Sequence, residues 1–64
     1  MTIREAKKGQ YITLKPIEEP RESQVWIRGE YDRESRKYSL INFADINRER
    51  FVKGSAEAFV DFTF

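Results

Sequence analysis

The sequence predicts a small, mainly β domain, and three observations predict it. Apolar and polar residues alternate with a period of two in residues 10–17, 24–32, 37–43 and 56–64. Glycine, proline and charged clusters separate these runs, as turns require. Helical spacing of apolar residues is confined to one short stretch. A chain of 64 residues is expected to form a single domain that buries only about 60% of the surface its unfolded form exposes. Its 39% hydrophobic and 14% aromatic content places it with folded rather than disordered chains.

Residues 1–9 read as an N-terminal arm, in which "TIREAK" (2–7) suits either a helical turn or a short strand. In "QYITLKPI" (10–17), Ile12 and Leu14 alternate with Tyr11, Thr13 and Lys15, and Pro16 ends the pairing. "EEPRES" (18–23) is a charged extended loop, because Pro20 disfavours helix at Glu19. "QVWIRGEYD" (24–32) and "KYSLINF" (37–43) flank the polar "RESR" (33–36), which predicts a hairpin with a short loop.

Pairing Asp32 with Lys37 sets Tyr31 opposite Tyr38, Gly29 opposite Leu40, Arg28 opposite Ile41 and Trp26 opposite Phe43. In that register Val25, Ile27, Tyr31, Tyr38 and Leu40 belong to the core face, and a bulge would overturn it. Residues 45–52 read as a short helix capped by Asp45 and ended by Gly54. The final run, 56–64, sets Ala58, Val60, Phe62 and Phe64 on one face and Glu57, Phe59, Asp61 and Thr63 on the other. Four or five strands in this order suggest an antiparallel meander, curled into a half-open barrel of the SH3-like or OB-like kind, with the short helix before the last strand.

Composition excludes several chemistries. The chain contains neither histidine nor cysteine, which removes the commonest general base, the commonest soft-metal ligands and the most reactive nucleophile. Disulfide staples are absent for the same reason. The carboxylate pairs Glu18/Glu19 and Glu30/Asp32 sit in charged, turn-rich sequence and read as solvated surface. A calcium loop starting at Glu30 fails, because Ser35 stands where the turn needs glycine and Ile41 where the bidentate glutamate belongs. "KGS" (53–55) has the wrong order for a phosphate-cradling loop. No cofactor and no metal site are therefore expected, and no enzyme activity. No apolar run approaches the roughly 20 residues of a membrane span, and "MTIREAKKGQ" has no apolar middle, so a cytoplasmic protein with no membrane partner is expected.

The candidate site is a second sheet face of Tyr11, Thr13, Lys15, Trp26, Arg28, Ile41, Phe43 and Phe59, too apolar for plain solvent surface. Of these, Tyr11, Lys15, Trp26, Arg28, Phe43 and Phe59 are the candidate binding residues. The first reading is a protein interface, with another protein or with a second copy as a homodimer, since Trp, Tyr, Phe and Arg are enriched at interface cores. The alternative is a single-stranded nucleic-acid platform, with Tyr11, Trp26 and Phe59 stacking on bases and Lys15, Arg28, Lys7 and Lys8 meeting phosphates. A net charge of +1 favours the interface. In a third reading the sheet curls, the face is interior and function lies elsewhere.

The string "YITLKPIEEPRESQVWIRGEYDRESRKYS", together with the closing "DFTF", resembles a run in short bacterial proteins that also end in an "FTF"-like strand. The likeness covers most of the chain. It implies a free-standing bacterial domain, and no residue role comes with it.

Overall fold

Asp32 closes the central hairpin. Its carboxylate accepts the backbone N–H of Glu34 at 3.1 Å and the hydroxyl of Ser35 at 3.0 Å, which folds the loop back on itself. Arg36 takes the left-handed conformation (φ 58°) that returns the chain to the second strand. This computed structural model describes residues 1–63. The strands are β1 (Tyr11–Ile12), β2 (Trp26–Asp32), β3 (Lys37–Asn42) and β4 (Glu49–Lys53), and a single 3-10 turn spans Glu22–Gln24. They form one antiparallel sheet in the order β1-β2-β3-β4. The sheet curls into a half-barrel, because the chain after β4 crosses back to bridge Thr13 through Phe59.

The hairpin register begins as the sequence predicts, with Asp32 opposite Lys37 and Tyr31 opposite Tyr38. It then slips by one residue between Tyr31 and Arg28. Beyond the slip Arg28 faces Leu40 rather than Ile41, and Trp26 faces Asn42 rather than Phe43. The cause is a β-bulge at Gly29 and Glu30, where two residues oppose one. Gly29 permits it: a Cβ there would lie 3.2 Å from both the carbonyl and the hydroxyl oxygen of Ser39.

A one-residue slip exchanges the two faces of a strand. Trp26 and Arg28 therefore join the concave face that was expected to hold Ile27, and Ile27 moves to the convex face, where it is half-buried beside Ile41. The concave face carries the core: Ile3, Ala6, Ile12, Trp26, Leu40 and Ala58, with Leu14, Tyr38, Val52, Ala56 and Val60 packed against it. Val25 is buried as expected, whereas Tyr31 is 46% exposed.

Three expected elements are corrected. Residues 45–52 form no helix, and 49–53 are β4. Asp45 nucleates a tight turn instead of a helix cap: its carboxylate accepts the N–H of Asn47, and its carbonyl accepts the N–H of Arg48. "ERFVK" then alternates Arg50 and Val52 inward with Glu49, Phe51 and Lys53 outward against β3. The first strand is shorter than 10–17, because Thr13 leaves β2 to pair with Phe59 and its hydroxyl bonds the Lys15 carbonyl at 2.7 Å. Residues 56–63 are not a strand ladder. Glu57 bridges Thr2 and Phe59 bridges Thr13, two isolated contacts with separate segments. Phe64, assigned to that run, lies outside the described residues.

The N-terminal arm shares both expected characters, a β-bridge from Thr2 to Glu57 and a hydrogen-bonded turn over 2–6, without forming a helix or a strand. Ala6 N–H reaches the Thr2 carbonyl at 3.2 Å, and the Thr2 N–H donates to the Glu5 carboxylate at 2.8 Å. The turn drops Ile3 and Ala6 into the core.

Candidate functional site

Trp26 is fixed first by its neighbours in the sheet. Ile12 pairs with it from β1 and Asn42 from β3, which leaves the indole 6% exposed at one end of the concave face. Period-two alternation on the chain entering β4 then points Arg48 and Arg50 to the same side. Their guanidinium carbons lie 5.8 and 5.7 Å from the centroid of the Trp26 ring, within the range of cation–π attraction.

Opposite the arginines, Leu14, Lys15 and Ile17 enclose a groove of about 350 Å³. Ser23 and Gln24 of the 3-10 turn complete its rim. Asn42, almost fully buried, holds that rim: its amide donates to the Ser23 carbonyl at 2.9 Å while its Oδ1 accepts the N–H of Ala44 at 3.0 Å. The Gln24 Oε1 accepts the Arg21 N–H at 2.9 Å, so its Nε2 remains as a donor.

Charge in this groove is one-sided. Lys15, Arg48 and Arg50 line it, and among the described residues no carboxylate does. The ion pair found among the described residues, Lys8 with Glu30, lies elsewhere, and it holds the Glu30 carboxyl below the ordinary range through the hydrogen bond and charge of Lys8. Among the described residues, three cations with no ion-pair partner therefore line one groove beside a buried aromatic ring.

The six residues expected to share one face are divided among several places. Trp26 and Lys15 meet at the groove. Arg28 lies over the Tyr38 ring at 4.3 Å, and donates to the Gly29 carbonyl at 3.1 Å. Tyr11 and Phe43 meet edge-to-face at 5.5 Å between centroids, on the convex side. Phe59 lies beside Pro16, Ile17 and Val60. Thr13 is buried, and Ile41 is half-buried on the convex face. Lys8, expected to meet phosphates, pairs with Glu30.

Sequence reasoning missed Arg48 and Arg50 by assigning them to a helix. The signal was available in "RERFVK" (48–53), where Arg48, Arg50 and Val52 share one face of a strand as naturally as they break a helical stripe. Compared with protein-family models, curated proteins and solved structures, the chain matches none. Among the described residues, no helix is long and apolar enough to cross a membrane.

Proposed function

We propose that this chain is a binding module rather than an enzyme, and that the Trp26 groove receives a phosphate-bearing ligand. The observation that carries the reading is that Lys15, Arg48 and Arg50 line one groove with no carboxylate beside them among the described residues. Like charges held together oppose folding, and a bound anion relieves that repulsion. Phosphate suits the site better than a carboxylate. It carries nearly two charges at neutral pH and several strong acceptor oxygens, which match the planar fork of a guanidinium. The Ser23 hydroxyl and Gln24 amide add neutral donors, and Leu14 and Ile17 offer an apolar wall to the rest of the ligand. Base stacking on Trp26 is not part of this reading, since the arginines already lie over a buried ring. The lack of histidine and cysteine supports binding over catalysis.

Trp26 is the only tryptophan, so its fluorescence reports on the groove directly. Titration with inorganic phosphate, a nucleoside monophosphate and a single-stranded oligonucleotide is expected to give a saturable change with at least one of them. Arg48→Gln or Arg50→Gln should weaken it roughly 10- to 100-fold, the worth of one charge-assisted hydrogen bond, while Lys8→Gln leaves it unchanged. Saturation by the monophosphate points to a small phosphorylated ligand, and by the oligonucleotide alone to nucleic acid. Silence with all three, or equal binding by the arginine variants, sinks the reading.

A second surface favours a protein partner. On the convex face Phe51 is 47% exposed next to Ile41 and the bulge at Gly29, where aromatic surface is left to solvent.

A further inference from the structure

The two edges of the sheet are finished differently. On the β1 side, Thr13 and Phe59 exchange both backbone hydrogen bonds, at 2.9 and 3.0 Å. On the other side β4 is the terminal strand, and among the described residues no strand pairs with its outer edge. The phase of the ladder says which groups face outward. Asn42 N–H donates to the Arg48 carbonyl, so Arg50 and Val52, at the same parity, also bond to β3. Glu49, Phe51 and Lys53 therefore direct their N–H and C=O groups away from the sheet. The Lys53 carbonyl is taken by Ala56 N–H at 3.0 Å in the following turn. The Lys53 N–H and both backbone groups of Glu49 and Phe51 are left on the open edge.

An exposed edge of this kind is a template for another strand. We propose that its occupant is a second copy of this chain, joined β4 to β4 in antiparallel fashion about a two-fold axis at Phe51. The convex-face positions Glu49, Phe51 and Lys53 are complementary to their own reverse, while Arg50 meets Val52 on the concave face. Phe51 then faces Phe51 of the second copy, while Glu49 faces its Lys53 and Lys53 faces its Glu49. All three positions project on the convex face, where aromatic and opposite-charge cross-strand pairs stabilise a sheet and like charges directly opposite destabilise it. The outward backbone groups meet in phase: the two Phe51 residues exchange N–H and C=O, and each Lys53 N–H reaches the opposing Glu49 carbonyl. Glu49 already accepts the Ser39 hydroxyl through one carboxylate oxygen, and its other oxygen remains for the lysine. The two sheets become one continuous sheet of twice the strand number. A two-fold interface is self-complementary by construction, and the convex face of this pentapeptide meets that condition.

The test is charge reversal read by multi-angle light scattering and sedimentation on the full chain. The wild type is expected to dimerise as concentration rises. Glu49→Lys puts lysine opposite lysine and Lys53→Glu puts glutamate opposite glutamate, so each alone should weaken dimerisation at least tenfold. The double variant, with both charges exchanged, should restore it, and mixing the two single variants should give a heterodimer. Both positions are exposed, and far-UV circular dichroism should show all variants folded. A wild type that stays monomeric up to about millimolar concentration overturns the proposal, whatever else its edge binds. So does a double variant that fails to recover, or a pair of single variants that do not associate when mixed.

Discussion

The Asn42 side chain donates to the Ser23 carbonyl at 2.9 Å across 19 residues of sequence, and so ties the 3-10 turn to β3 behind Trp26. The same side chain accepts the N–H groups of Ala44 and Asp45 at 3.0 and 3.3 Å, which starts the turn into β4. One buried amide thus positions both walls of the groove. Asn42→Ala should cost roughly 1–3 kcal/mol, because it removes three part-buried hydrogen bonds made by one buried amide. Urea denaturation measures it. A cost below about 0.5 kcal/mol would show that these groups find water instead.

The bulge makes a sharp distinction between two aliphatic residues of the hairpin. Leu40→Ala removes a fully buried side chain and should cost about 2–5 kcal/mol. Ile27→Ala, on the half-buried convex face, should cost clearly less. Equal losses in chemical denaturation would restore the bulge-free register.

Trp26→Ala should destabilise the domain by about 3–5 kcal/mol, a large part of the stability available to a chain this small. Its indole is buried among Ile12, Leu40 and Ala58. Arg48→Gln and Arg50→Gln, in contrast, should lower the unfolding midpoint by only a few degrees, since both side chains are exposed and their cation–π contacts are worth about 0.5–1 kcal/mol each. Thermal melts of the three variants separate the floor of the groove from its charged wall.

Protonation of Glu30 gives a pH signature. Its folded pKa is lowered, first by the hydrogen bond from Lys8 and then by the lysine charge. A lowered folded pKa contributes stability above the unfolded value, and that contribution is lost as pH falls through the folded one. The pair is exposed, so the contribution is small and salt-sensitive. Carbon-detected NMR titration should place the Glu30 carboxyl below the ordinary glutamate value. Lys8→Ala should move Glu30 back up; an unmoved titration would remove the pair.

Local chemistry along the chain is enough to specify part of this molecule. Alternation in 24–32 and 37–43, with Asp32 folding the "RESR" loop, specifies the hairpin and the Tyr31–Tyr38 pair, because the turn fixes the register nearest to it. The mainly β class follows from the same alternation, and the absence of histidine and cysteine chemistry from composition alone. The remainder depends on contacts between distant segments. Gly29 inside a strand signals a bulge without saying that the chain will use it; only the close approach of Ser39 settles that, and with it the face on which Trp26 lies. Residues 45–52 satisfy both a capped helix and a turn followed by a strand. Pairing with β3 selects the strand, since the edge of β3 would otherwise leave its backbone groups unpaired. That selection carries Arg48 and Arg50 over Trp26 and leaves the outer edge of β4 open. Both candidate surfaces are products of long-range pairing, and a period read along the chain cannot supply the partner.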